Sequence, residues 1–192
     1  MESFFPLLYF DPAAYYREIA RRPDAQWVVQ ERYAKQTLRN RCSIYGANGK
    51  IQLSIPVVRP HGKLTPVDEA LISYEESWRQ IHWRSIKSAY GRAPYFEYFE
   101  DKIAPLYDTK YELLMDFLID ANKIVLEILK INEPTIYSDI IAVSLQKQLD
   151  VKSAPDFYYD EQKKYYQIFE ERHGFIPNLS VLDWVFHCGN RF

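Results

Sequence analysis

The chain has 192 residues, of which 47% are hydrophobic and 26% are charged, with a net charge of −2. This composition is typical of a folded soluble protein, and we expect one domain spanning residues 1–192. The near-neutral balance of charge disfavours nucleic acid as a partner, because it does not imply a strongly basic surface. The two cysteines, Cys42 and Cys188, predict a reducing, cytoplasmic location. We expect neither a signal peptide nor a membrane span, because no apolar stretch approaches the ~18 residues that a span needs.

The N-terminal residues predict a strand, a helix and a second strand. Residues 3–10 are extended in pattern, and the helix over residues 12–21 begins with Asp11 as N-cap and Pro12 at the first helical position. Residues 26–31 form the second strand. Because the crossover is helical, we expect these two strands to be parallel.

A β-hairpin is predicted over residues 42–57. Asn48 and Gly49 are a preferred two-residue turn, since both tolerate a positive φ. A turn at this position places Ile44 opposite Leu53 and so determines the register of the whole hairpin.

The first strand of the hairpin carries a candidate anion-binding motif. Side chains alternate along a strand, so Cys42 faces the core and Arg41 faces outward, with Arg39 on the same face if the strand extends that far. Arg39, Asn40 and Arg41 can bind phosphate or carboxylate by bidentate hydrogen bonds. Two arginines on one strand face repel each other unless an anion lies between them. The alternative is a solvated strand edge.

The next helix, over residues 74–90, contains the candidate catalytic residue. Its start is predicted from the capping box of Ser73 and Glu76, and its end from Gly91. His82 lies on the apolar face one turn after Trp78. It is a candidate general base, and the alternative is a core histidine bonded to a backbone carbonyl.

Three aromatic residues are candidates for the wall of a substrate pocket. Trp78 is one turn from His82, Tyr90 lies near the end of the same helix, and Tyr95 belongs to the aromatic segment that follows. Tyrosine and tryptophan serve in binding sites but also fill cores, so packing is the alternative for each of them.

The remaining pattern completes an α/β prediction. A second capping box, Thr109 and Glu112, predicts a helix over residues 110–130, and residues 135–140 are a candidate short strand. Residues 161–173 predict a helix that ends at Gly174, and a short helix follows Ser180. We expect a small mixed sheet that carries the hairpin and is flanked by these helices, with an all-α fold as the alternative.

Four segments together resemble the WbqC-like family of bacterial proteins. They are FFPLLYF at residues 4–10, KQTLRNRC at 35–42, WRQIHWRSIKSAYGRAPYFEYF at 78–99 and YYQIFEERHGFIPNLSVLDWVFHCG at 165–189. Two positions depart from the family pattern: Glu2-Ser3 stands near a common Gln-Pro pair, and His187-Cys188 replaces an Asn-Glu pair. The resemblance implies a bacterial protein that is often encoded among genes for surface polysaccharide or O-antigen synthesis.

Two functions are compatible with this resemblance. The first is a transferase of surface-polysaccharide precursor synthesis that acts on a nucleotide-activated sugar. The second is a non-catalytic binding or scaffold protein of the same pathway. The expected ligand is a small anionic or sugar molecule. No cofactor and no metal are expected, because the sequence has no phosphate-binding glycine loop, no nucleophile elbow and no array of metal ligands.

Overall fold

The computed structural model describes residues 3–29, 32–137 and 164–191, and its architecture is α/β, as predicted. The strands are β1 (Ser3–Pro6), β2 (Ala25–Val28), β3 (Arg41–Gly46), β4 (Gly49–Ser54), β5 (Val57–Val58), β6 (Leu71–Ile72) and β7 (Thr135–Tyr137). The helices are α1 (Ala13–Ala20), α2 (Trp78–Tyr90), α3 (Phe96–Ile103), α4 (Pro105–Asp108), α5 (Leu114–Leu129), α6 (Glu170–His173) and α7 (Val181–Cys188). No helix of these residues is both long and apolar enough to cross a membrane.

The predicted parallel pairing of the first two strands is confirmed. β1 and β2 are parallel, and β7 lies parallel to β2 on its other side, which gives the order β1-β2-β7. The start of α1 was predicted one residue early: Pro12 has an extended ψ of 154° and occupies the N-cap position. Asp11 makes no capping bond. Its backbone carbonyl instead accepts a hydrogen bond from the N–H of Val181, at the start of α7.

The hairpin forms a two-stranded sheet of its own, and β5 and β6 form another. The expected single mixed sheet is therefore wrong. The predicted register is also wrong by two residues, because Ile44 pairs with Ile51. Ala47 and Asn48 are the central turn residues, and the positive φ of 102° falls on Gly49, which follows them. A shift of two residues preserves the strand faces, so Cys42 still faces inward and is 4% exposed.

Two helices begin later than their capping boxes predicted. The chain around β6 pairs with the residues that precede α5: Ile72 N–H donates to the carbonyl of Glu112, and Leu114 N–H donates to the carbonyl of Ala70. This long-range pairing holds both segments extended. As a result α5 begins at Leu114. The N–H of Ser73 donates to the carbonyl of Pro56, and α2 begins only at Trp78, with Ser77 at the N-cap position.

The C-terminal elements confirm one prediction and correct another. Residues 161–163 lie outside the described part of the chain, residues 164–169 are not helical, and α6 occupies only Glu170–His173. The reason is a side-chain interaction: Gln167 Oε1 accepts from the N–H of Ile176, and its Nε2 donates to the carbonyl of Ile176. α7 begins as predicted, with Ser180 Oγ accepting from the N–H of Leu182.

One buried polar side chain connects the exit of β1 to two helices. Asn122 of α5 is fully buried, and its Nδ2 donates to the carbonyls of Leu8 (2.8 Å) and Leu118 (2.7 Å). Its Oδ1 accepts from the hydroxyl of Tyr16 in α1, at 2.8 Å. The amide thereby satisfies backbone groups that the irregular segment after β1 would otherwise leave without partners.

Candidate functional site

The charges of two arginines, one of them at the open end of the hairpin, act on one buried tyrosine. Arg41 is the first residue of β3, and Arg59 follows β5 directly. The charges of both act on Tyr33, whose side chain is 4% exposed. Burial raises the pKa of Tyr33 to about 12, while the two guanidinium groups oppose that shift. The folded chain therefore concentrates positive charge around a neutral phenol.

These two arginines are not neutralised within the described residues. Neither guanidinium forms an ion pair with an aspartate or glutamate of that part of the chain. Both side chains are partly exposed, and the buried Nε of Arg41 has no hydrogen-bond partner there. An arginine without an internal counter-ion can pair with an anion by charge-assisted hydrogen bonds. The arrangement suits an anion that enters from solvent.

The other two residues of the predicted anion-binding motif lie elsewhere. β3 begins only at Arg41, so Arg39 does not share its strand face. Arg39 is fully buried, its Nη1 donates to the carbonyl of Leu7 at 3.1 Å, and burial lowers its pKa to about 10. Asn40 donates from Nδ2 to the carbonyl of Ile55, whose N–H donates back to the carbonyl of Asn40. These contacts connect both residues to the backbone of other segments, and their predicted role in binding an anion stays a prediction.

His82 is enclosed in a chain of hydrogen bonds. The imidazole is 3% exposed, its Nδ1 lies 2.9 Å from the hydroxyl of Tyr9, and that hydroxyl lies 2.8 Å from the hydroxyl of Tyr107. Burial lowers the pKa of His82 to about 4, opposed by a hydrogen bond to the backbone carbonyl of Ser54. This geometry favours the core-histidine alternative. The general-base role stays a prediction that no described contact supports.

The three predicted wall residues are not brought together. Trp78 is 2% exposed and lies against His82, with ring centroids 5.2 Å apart. Tyr90 is fully buried, and its hydroxyl accepts from the N–H of Tyr45 at 3.1 Å. Tyr95 lies beside α7, where its N–H donates to the carbonyl of Phe186. Only Trp78 therefore shares the surroundings of His82.

A buried carboxyl group was missed by the sequence patterns. Asp11 was predicted as an N-cap, but it is 2% exposed, and neither carboxyl oxygen has a hydrogen-bond partner in the described residues. Burial raises its pKa to about 8, and its charge would act on the neighbouring Tyr16 and Cys42. A local capping rule cannot detect such burial, because the covering residues are distant in sequence.

A second polar cluster lies between α7 and the segment before α6. Asp183 is fully buried, and its Oδ2 accepts from the Tyr165 hydroxyl at 2.5 Å and from Gln167 Nε2 at 2.9 Å. His187 Nε2 accepts from the N–H of Ile168, so Nδ1 carries the proton and donates to the carbonyl of Asp183. These groups are occupied in holding the chain together. Among the described residues, no group of His, Cys, Asp or Glu side chains could hold a metal ion.

A surface pocket of about 390 Å³ lies away from all of these residues. It is formed where α1 and α5 end and where β2 and β7 begin, and its lining includes Arg22, Gln26, Lys130 and Thr135. Ligands of parallel α/β sheets usually bind at the carboxyl ends of the strands. This pocket lies at the amino ends, and none of the predicted site residues lines it.

The sequence profile of the WbqC-like protein family matches residues 8–156. The chain belongs to this family. Comparisons with curated proteins and with solved structures gave no match.

The match locates the candidate site within the part of the chain that defines the WbqC-like family. Residues 8–156 contain Tyr33, Arg41, Arg59 and His82. They do not contain α7 or the Asp183 cluster. The first departure from the family pattern also lies before this range, and Glu2 is outside the described residues.

Proposed function

We propose that this WbqC-like protein is a transferase-type enzyme of bacterial surface-polysaccharide precursor synthesis, and that it holds a nucleotide-activated sugar by its phosphates. The observation that supports this proposal is that Arg41 and Arg59, whose charges both act on Tyr33, have no carboxylate partner in the described residues. The polysaccharide context comes from the resemblance to the family.

The chemistry of the site fits a phosphate group better than a neutral sugar. A guanidinium presents two parallel N–H donors that match two phosphate oxygens, and a phenol O–H adds a third donor. Because Tyr33 keeps its proton at neutral pH, it can donate to an anion and does not repel it. Arg41 and Arg59 come from different segments, and in this proposal the two phosphates of the ligand join the hairpin to the loop after β5.

The second candidate is a non-catalytic binding protein of the same pathway. The enclosure of His82 favours it, because the imidazole that was predicted as the base is 3% exposed and Nδ1 is already hydrogen-bonded with Tyr9. Both candidates require the same anion-binding site. They differ only in whether the bound ligand is converted.

Isothermal titration with uridine diphosphate sugars and with inorganic pyrophosphate tests the site. Arg41→Ala and Arg59→Ala are each expected to weaken binding by about 10- to 100-fold, since a hydrogen bond to a charged group contributes about 1.5–3 kcal/mol. The matched control is Arg92→Ala, which removes an exposed arginine that follows α2. Equal affinities for the wild type and both site variants would refute the proposal.

Turnover then separates the two candidates. The protein that binds a nucleotide sugar is incubated with it and with candidate sugar acceptors, and mass spectrometry follows the released nucleotide and the new glycoside. Product that depends on Arg41 and Arg59 supports the transferase. Tight binding without product, over a broad panel of acceptors, supports the binding protein.

A further inference from the structure

We infer that Thr65 is a positioning residue for Arg59: its hydroxyl closes the turn that begins at Arg59, and its carbonyl joins that turn to the segment that carries Tyr33. This inference rests on the proposed function, since it concerns how one of the two arginines is held at the same anion-binding site. Thr65 itself is fully buried, so it acts without touching the ligand.

The place of Arg59 in the chain supplies the first step. Val58 and Leu71 form the last pair of the β5–β6 ladder, and Arg59 is the first residue of the loop that joins these two strands. Strand pairing therefore supports Arg59 on one side only. Loop residues vary in position unless hydrogen bonds hold them. The placement of the Arg59 backbone thus depends on contacts made within the loop or with another segment.

The hydroxyl of Thr65 supplies the second step. The N–H of Gly62 donates to the carbonyl of Arg59 at 3.1 Å, which makes residues 59–62 a turn. Thr65 Oγ1 accepts from the N–H of His61 at 2.9 Å and donates to the carbonyl of Gly62 at 3.1 Å. A hydroxyl has one donor hydrogen and two acceptor sites, so a single side chain provides both bonds. The hydroxyl thus holds the second half of the turn that Arg59 begins.

The carbonyl of Thr65 supplies the third step. It accepts a hydrogen bond from the N–H of Tyr33 at 2.9 Å, and the neighbouring residues Arg32 and Pro66 form an antiparallel β-bridge. The Tyr33 segment and the loop after β5 are therefore paired through their backbones at Thr65. The turn that begins at Arg59 and the Tyr33 segment form one unit, because Thr65 is hydrogen-bonded to both.

Two substitutions of Thr65 separate positioning from simple packing. Thr65→Val keeps the shape of the side chain and loses both hydrogen bonds, whereas Thr65→Ser loses a methyl group and keeps the hydroxyl. With inorganic pyrophosphate as the probe in isothermal titration, we expect Thr65→Val to weaken binding about five- to tenfold and Thr65→Ser to bind within about twofold of the wild type. If Thr65 served packing alone, both variants would lower stability and neither would change affinity.

The decisive readout is the coupling between Thr65 and each arginine. If Thr65 acts through Arg59, the loss caused by Thr65→Val disappears in the Arg59→Ala background and persists in the Arg41→Ala background. Unchanged affinity in folded Thr65→Val, or a loss that adds fully to that of Arg59→Ala, would overturn the inference and leave the proposed function intact. Unchanged affinity in Arg59→Ala would also overturn the inference, and unchanged affinity in Arg41→Ala as well would overturn the proposed function with it.

A second variant keeps the test decisive if Thr65→Val does not fold. Gly62 has a φ of 58°, which an alanine tolerates poorly, and a Cβ at this position meets no atom within 4 Å. Gly62→Ala therefore strains the turn without a steric clash. We expect the same weakening of pyrophosphate binding and the same dependence on Arg59, and unchanged affinity in this variant would overturn the inference.

Discussion

The hydroxyl of Tyr9 lies 2.9 Å from Nδ1 of His82, and both groups are buried in the folded protein. A buried imidazole of this kind is neutral at pH 7, because burial in a region with little water disfavours the charged form and lowers the pKa of His82 to about 4. The same contact determines how the stability of the protein depends on pH.

We expect His82 to make the protein less stable as the pH falls. Its folded-state pKa is about 4, below the ordinary 6.5, so the unfolded chain binds the proton first. The stability that the neutral ring contributes is complete above pH 6.5 and is lost between pH 6.5 and 4, by about 2 kcal/mol at pH 5. Urea unfolding at pH 7.5 and 5 should show this loss in the wild type but not in His82→Gln. The control, His61→Gln, removes an exposed histidine and should show the same loss of stability as the wild type.

Asp11 is expected to give the opposite pH dependence. Its folded-state pKa is about 8 against an ordinary 3.8, so the folded protein retains a proton that the unfolded chain releases. Stability from this group is greatest below pH 3.8 and is lost as the pH rises to 8. Asp11→Asn cannot ionise, so its free energy of unfolding should gain roughly 5 kcal/mol relative to wild type between pH 4 and 8. Asp101→Asn changes an exposed residue, so its free energy of unfolding should depend on pH as that of the wild type does. If the curve for Asp11→Asn were also parallel to the wild-type curve, the prediction would be wrong.

Removal of the Asn122 amide is expected to destabilise the protein strongly. Asn122→Leu leaves the carbonyl of Leu8 and the hydroxyl of Tyr16 buried without a partner, which we expect to cost about 2–4 kcal/mol. Tyr16→Phe should cost only about 1 kcal/mol. The double variant lacks the Tyr16 hydroxyl, which is one of the groups left unpaired in Asn122→Leu. Its loss of unfolding free energy, measured by chemical denaturation, should therefore be smaller than the sum of the two single losses. A simple sum would show that the two side chains act independently.

The interaction of Gln167 with Ile176 is expected to control the opening of the segment around α6. Gln167→Ala removes the acceptor for the N–H of Ile176 and the donor to its carbonyl. We expect the amide of Ile176 to exchange hydrogen about 10- to 100-fold faster under native conditions, since each lost bond contributes roughly 1 kcal/mol. Gln52→Ala, on the exposed side of β4, provides the comparison. Unchanged protection of Ile176 would mean that other contacts hold the segment.

Local sequence signals predicted the elements that depend on neighbouring residues. The βαβ unit, the hairpin and the capped start of α7 at Ser180 all follow from turn and cap preferences within a few residues. The capping box at Ser73 failed for a different reason. Its neighbours pair with residues around Glu112, and no local rule contains information about a partner so far along the chain.

The candidate site was predictable only in part. Strand alternation correctly placed Arg41 outward and Cys42 inward. It did not decide the direction of the Arg39 side chain, because the first residue of the strand was unknown. Arg59 and Tyr33 were not identified, since both lie in irregular segments without periodicity. The function of Arg39, Asn40, Trp78, Tyr90 and Tyr95 in ligand binding stays a prediction, as does the single domain over residues 1–192.

The bond from the N–H of Val181 to the carbonyl of Asp11 joins residues separated by most of the sequence, and Ser180 N–H adds a second bond to the carbonyl of Ser43. During synthesis on the ribosome, the early βα unit and the hairpin must therefore wait for one of the last helices before their polar groups are covered. Closing so large a loop is slow. Until residues 180 and 181 have been synthesised, the backbone carbonyls of Asp11 and Ser43 lack these two donors.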